Sequence, residues 1–161
     1  MIESIAKGLQ ITEPNVFIPW NTSERKLLKL LKGSTPEKVG DGYYTLSVLL
    51  FGDLQCMLGF YFATSKKNFL SHRKNTLDCI GIFRSAEYYE GYAYNKLTAS
   101  FTDFQSRLEK AFGIPTSTIE GSQDYTGGFP SYTWEIGEIT IRHYVFERFG
   151  LGEHLRIQIA T

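Results

Sequence analysis

Apolar residues recur at helical spacing in two stretches of the chain and alternate with polar ones in six others. Leu27, Leu28, Leu30 and Leu31 form an apolar face opposite Arg25, Lys26, Lys29 and Lys32, which predicts a short amphipathic helix. Asn21 suits its N-cap, with Glu24 three residues on to complete a capping box, and Gly33 and Pro36 end it. Phe101, Phe104, Leu108, Ala111 and Phe112 line a second helical stripe, with Thr102 and Gln105 as a second capping box and Gly113 and Pro115 as its stop. Ile2, Ile5, Ala6 and Leu9 are spaced for one further short helix, limited by Gly8 and Pro14.

The alternating stretches predict strands. Tyr44, Leu46, Val48 and Leu50 share one face, Gly52-Asp53 turns the chain, and Cys56, Leu58, Phe60 and Phe62 return it. After a polar loop from Ser65 to Lys74, residues 76–83 form a third strand, with Leu77, Cys79, Gly81 and Phe83 on one face and Asp78, Ile80 and Ile82 on the other. Tyr132, Trp134 and Ile136 lead to a turn at Gly137. Ile139, Ile141, His143 and Val145 follow, then a turn at Gly150-Leu151-Gly152 and a last strand carrying Leu155, Ile157 and Ile159. The expected fold class is therefore α+β, a single domain over residues 1–161 whose antiparallel sheet of about six strands carries two helices on one face. Both halves read helix–strand–strand–strand, over 18–84 and 99–161, either as pseudo-repeats or as two common helix–meander units. Leu28, Leu31, Leu46, Val48, Phe60, Phe104, Leu108, Ile141 and Ile157 are the expected core.

Composition changes this picture little, and charge changes it somewhat more. A chain of 161 residues buries roughly two-thirds of its unfolded surface and holds a core without staples. The 17 basic and 17 acidic residues balance, which argues against a general nucleic-acid binder. The balance is uneven along the chain: residues 1–84 are net +4 and residues 85–161 net −4. Cys56 and Cys79 both fall in strand patterns and are expected as reduced, buried thiols. Met1 to Lys7 has an early acid and no apolar core, and no stretch reaches the roughly 18 apolar residues of a membrane span, so a cytoplasmic protein is expected.

Candidate chemistry is sparse. No Cys-x-x-Cys or His-x-x-x-His spacing occurs, and no metal or cofactor is expected. His143 reads as a core histidine with one hydrogen-bond partner; as a general base it needs a carboxylate, for which Glu147 and Asp78 are the candidates. No nucleophile elbow is present, and the Gly-x-Gly pairs precede strands rather than helices, so an enzyme is not expected. Residues 66–74, with four cations around Phe69, read either as a solvated connection or as a phosphate-backbone contact. The segment 87–94 concentrates four of the ten tyrosines beside Glu87 and Glu90, a composition suited to interfaces.

Residues 134–150 (WEIGEITIRHYVFERFG) and 153–157 (EHLRI) resemble the ends of small uncharacterised bacterial proteins, some of which serve as immunity partners of secreted toxins. Together with the lack of catalytic motifs, that resemblance gives the expectation of a non-enzymatic cytoplasmic immunity protein whose partner is a secreted toxin domain; the composition argues against a membrane and disfavours nucleic acid. Its partner contact is expected at Tyr88, Tyr89 and Tyr92 as aromatic anchors, with Glu87, Glu90 and Asp124 as steering charges. The alternative is a small-molecule-binding domain with an aromatic-lined pocket built on the tyrosines and on Trp20 or Trp134.

Overall fold

The computed structural model describes residues 5–63, 76–84, 94–121, 128–147 and 151–160. In chain order the elements are β1 (Gly8–Ile11), β2 (Val16–Pro19), α1 (Glu24–Leu30), β3 (Glu37–Gly40), β4 (Tyr43–Leu50), β5 (Leu54–Phe62), β6 (Leu77–Arg84), α2 (Tyr94–Phe112), β7 (Ser117–Ile119), β8 (Ser131–Ile136), β9 (Ile139–Glu147) and β10 (Leu151–Ile159). Strands β1 and β2 form a separate antiparallel ribbon, and the other eight form one sheet in the order β3-β4-β5-β6-β10-β9-β8-β7. Each half of the chain thus runs helix, then four strands, and the last strands of the halves, β6 and β10, pair antiparallel at the centre.

The sheet is α+β as expected, but it holds eight strands and a ribbon stands apart, rather than about six strands in all. The missed strands have a common cause. Every residue of β3 and β7 is exposed, so neither carries an alternation to read. Of the N-terminal helix expected over Ile2 to Leu9, Ile5 is helical and Ala6-Lys7 turns the chain, but Leu9 belongs to the ribbon, where Leu9, Ile11 and Ile18 are buried, with Leu9 paired to Ile18.

Pairing register lines residues up in rows across the sheet. On the inner face Leu46, Leu58, Ile82, Leu155, His143 and Tyr132 stand side by side on β4, β5, β6, β10, β9 and β8. The next inner row is Tyr44, Phe60, Ile80, Ile157, Ile141 and Trp134. All of these except Tyr132 are buried. Burying one Leu, Ile or Phe contributes about 1.5–3 kcal/mol, so these rows dominate the fold's stability. A register shift between Tyr61 and Phe62 puts Leu77 opposite Phe62, so Leu77 joins Ile80 and Ile82 on the inner face instead of Cys79 and Gly81. Both cysteines are free and buried, Cys56 on the inner side and Cys79 on the outer.

Both helices touch the inner face: the Tyr44 hydroxyl donates to Glu24 of α1 (2.5 Å), and Phe112 of α2 packs edge-on against Trp134 (6.0 Å). Ser23, not Asn21, caps α1, accepting from the Lys26 amide (3.3 Å). Thr22 and Ser23 are held against the start of β6, where the Leu77 amide donates to the Thr22 carbonyl (2.9 Å), so the chain cannot turn helical earlier. With seven residues, α1 buries Leu27 and, just beyond it, Leu31; Leu28, expected in the core, is 41% exposed. Helix α2 begins at Tyr94, eight residues before the expected Thr102 cap, and Thr102 lies exposed within it.

Leu108 of α2 is fully enclosed, so Leu108→Ala should cost about 2–5 kcal/mol in urea unfolding, whereas Leu28→Ala should stay within about 0.5 kcal/mol. Equal losses at the two positions would contradict the assignment of faces.

Candidate functional site

The expected contact residues Glu87, Tyr88, Tyr89, Glu90, Tyr92 and Asp124, and the cationic loop 66–74, lie outside the described residues. Two constellations of polar and aromatic groups stand out among those that are described, one on each side of the sheet.

On the inner side, His143 interrupts an apolar row directly beneath α2. Its ring stacks on Phe101 (4.1 Å between centroids) and meets Phe104 edge-on (5.1 Å). Nδ1 lies 2.8 Å from Gln105 Oε1, and Nε2 lies 3.0 Å from Glu153 Oε1. Glu153 Oε2 accepts from the Ser100 hydroxyl (2.5 Å), and the Gln105 amide nitrogen donates to Glu109 (2.8 Å). Because Gln105 spends its N–H on Glu109, its oxygen faces His143, which donates to it from Nδ1. Nε2 faces a carboxylate oxygen of Glu153. Burial holds the imidazole below its ordinary value, against the opposing pull of Glu153.

His143 therefore has two partners rather than one, and the carboxylate is Glu153, not Glu147 or Asp78. The hairpin explains the choice. His143 pairs with Leu155, so Glu153, two residues along, emerges on the same face. Ser100 touches the carboxylate and not the imidazole, so the three side chains lack the nucleophile–base contact of a catalytic triad. With His143 and Ser100 fully enclosed and Glu153 2% exposed, the cluster joins α2 to β9 and β10 from inside the core.

The outer face of the sheet is built from the alternate residues of the same strands. One row is Ser47, Met57, Phe83, His154 and Tyr144, the next Thr45, Gly59, Gly81, Arg156, Arg142 and Thr133, and the next Tyr43, Tyr61, Cys79, Gln158, Thr140 and Glu135. The two glycines let the flanking rings lie down. A Cβ on Gly59 would stand 3.0 Å from the Tyr43 ring, and one on Gly81 would stand 3.0 Å from both Phe83 and His154. Tyr43 and Tyr61 stack at 4.4 Å, Phe83 and His154 stack at 4.4 Å, and Tyr144 donates to or accepts from His154 Nδ1 at 2.9 Å.

Arg142 and Arg156 stand directly opposite each other in the middle row. Like charges in that position repel. The side chains splay apart, Arg142 over the Tyr144 ring (4.9 Å) and Arg156 toward Gln158 (3.0 Å). Among the described residues no carboxylate pairs with either.

Neither tryptophan lines either of the two cavities seen among the described residues. Trp20 donates to the Ile5 carbonyl (2.7 Å) and Trp134 to that of Gly113 (2.8 Å), and both are core residues. No cluster among the described residues has the ligands for a metal ion, and no described helix is long and apolar enough to cross a membrane.

Burial pushes the His154 imidazole down to about 4, and the nearby Arg156 charge adds to the effect. The unfolded chain binds this proton near pH 6.5 and the folded one does not, so stability falls as pH drops from 6.5 through about 4. The loss attributable to this group is on the order of 3 kcal/mol. Urea unfolding across that interval should show His154→Gln losing less stability than the wild type by this amount; parallel curves would contradict it.

Comparison with protein-family models, with curated proteins and with solved structures finds no match.

Proposed function

We propose that this chain is a non-enzymatic protein-binding module that meets its partner with the outer face of the sheet and acts as an immunity-type inhibitor of a secreted toxin. The observation that carries the reading is the juxtaposition on that face of half-exposed rings, Tyr43, Tyr61, Phe83 and Tyr144, with two exposed arginines that have no carboxylate partner among the described residues. Tyrosine and arginine are the residues in which interface energy concentrates, because they bring large rigid contact area with a polar end. The hydrogen-bonded rows beneath keep the rings at fixed spacing, so little order has to be imposed on binding.

The face also states what its partner must offer. Carboxylates should sit opposite Arg142 and Arg156, with apolar groups over the flanking rings. This differs from the steering by acidic residues expected of Glu87, Glu90 and Asp124, which lie outside the described residues. The toxin-immunity role rests on the likeness of residues 134–150 and 153–157 to the ends of small uncharacterised bacterial proteins, some of which serve as immunity partners of toxins. Those residues supply β9 and most of β10, and with them Arg142, Tyr144, His154 and Arg156 of the face.

The test uses the protein together with the product of the open reading frame that neighbours its gene. Tyr144→Ala and Arg142→Glu/Arg156→Glu should each weaken binding in titration calorimetry by about 30-fold or more, equivalent to at least 2 kcal/mol at a hot spot, with melting unchanged. Co-expressed with that product, the arginine variant should fail to protect cells. Full protection by that variant would remove the face from the interface. Tight, arginine-dependent binding of a single-stranded oligonucleotide in a gel-shift assay would replace the protein partner with a nucleic acid.

A further inference from the structure

On the opposite side of the sheet, the β1–β2 ribbon, the β4–β5 turn and the C-terminal half of α2 enclose a groove of about 810 Å³. That is the size of a small-molecule site, commonly about 300–1,000 Å³. Its apolar walls are Leu9, Phe17, Phe51 and Phe112. Phe51 holds its place against its own backbone: its φ of 51° lies in the left-handed region, which a bulky residue occupies at a cost of about 1–3 kcal/mol. Its ring packs against Phe104 (6.4 Å) and Phe112 (6.0 Å), which fixes it as one wall.

The helix presents a polar stripe to the groove at Asp103, Ser106, Arg107 and Lys110, spaced three and four residues apart. Two of its three charges, Asp103 and Arg107, are paired with each other and with charges from the sheet side. Arg107 donates to both oxygens of Asp103 (3.2 and 3.1 Å) and is also paired with Asp53. Asp103 lies in addition 4.0 Å from the buried Arg84. Lys110, one turn further on beside Phe112, has no carboxylate within ion-pair distance among the described residues. The groove thus combines a wide apolar wall with a single uncompensated cation.

We propose that this groove binds a small amphipathic monoanion, with its apolar body against Leu9, Phe17, Phe51 and Phe112 and its acidic head at Lys110. The site lies away from the outer face, so it stands or falls independently of the protein-docking reading. A neutral apolar ligand would leave the lysine idle, and a cationic one would meet repulsion there. Lys110 also complements the helix C-terminus, but that role is indifferent to any ligand.

The probes are decanoate, decanol and decylamine, each below its micelle-forming concentration, measured by calorimetry and thermal melting on the full chain. Decanoate should bind and raise the melting temperature, at least about tenfold more tightly than decanol, the usual scale of one charge-assisted contact. Lys110→Glu should abolish that preference and favour decylamine. Ser106→Trp, a surface helix position that faces the groove, should block all three probes while the protein still melts cooperatively. Phe17→Asp, on the half-exposed wall, should do the same. No decanoate binding, equal binding of the three head groups, or decanoate binding that survives both blocking variants would overturn the proposal.

Discussion

The antiparallel pairing of β6 with β10 is the constraint on which the rest of the molecule depends. It joins the last strand of one four-stranded meander to the last strand of the other, with Ile80, Ile82, Leu155 and Ile157 in adjacent register. Because side chains alternate with period two, that register, carried outward by the pairing of each next strand, sorts the residues of the sheet onto two faces, apart from the shifts at Tyr61/Phe62 and Lys38/Gly40. Slipping it by one residue would bury Arg156 and His154 and expose the apolar rows. The helices then have one surface to cover, and the opposite surface is left as the rows of rings and arginines.

The two faces treat polar groups in opposite ways, and the functional reading follows from the contrast. Inside, His143, Glu153, Ser100 and Gln105 satisfy one another and end in Glu109 at the surface, so the burial of a titratable pair is compensated by hydrogen bonds. Outside, Arg142 and Arg156 stand opposite each other with no carboxylate at ion-pair distance among the described residues, while the Cys79 thiol and the Asp78 charge favour the charged form of Arg156. A polar group with its bonds closed off serves the fold, whereas exposed cations on a rigid aromatic surface are free to meet a partner's carboxylates.

Much of this was legible in the sequence where burial imposes a period. Leu46/Val48/Leu50, Leu58/Phe60, Ile139/Ile141 and Phe104/Leu108 announced their elements and faces because one side of each packs against the core. Legibility failed where that pressure is absent or where tertiary contacts decide. Strands β3 and β7 are exposed throughout and held by pairing alone. Ile5 and Leu9 are spaced as one helical face, but only Ile5 is helical and Leu9 belongs to a ribbon. Asn21 and Ser23 are both good caps, and contact with β6 chooses between them. The outer face was missed for a related reason: Tyr43, Tyr61, Phe83 and Tyr144 lie on four strands and converge only through register. The parity of His143 and Glu153 across their hairpin was a signal that counting back from Gly150 could have used.

Native-state hydrogen exchange tests the central pairing most directly. If β6 and β10 join the halves into one cooperative unit, the amides of Ile80, Ile82, Leu155 and Ile157 should exchange last and together, at the rate set by global unfolding. Two separate exchange classes, with β6 protected while β10 opens or the reverse, would mean that the halves fold independently and that the shared faces are not held as one surface.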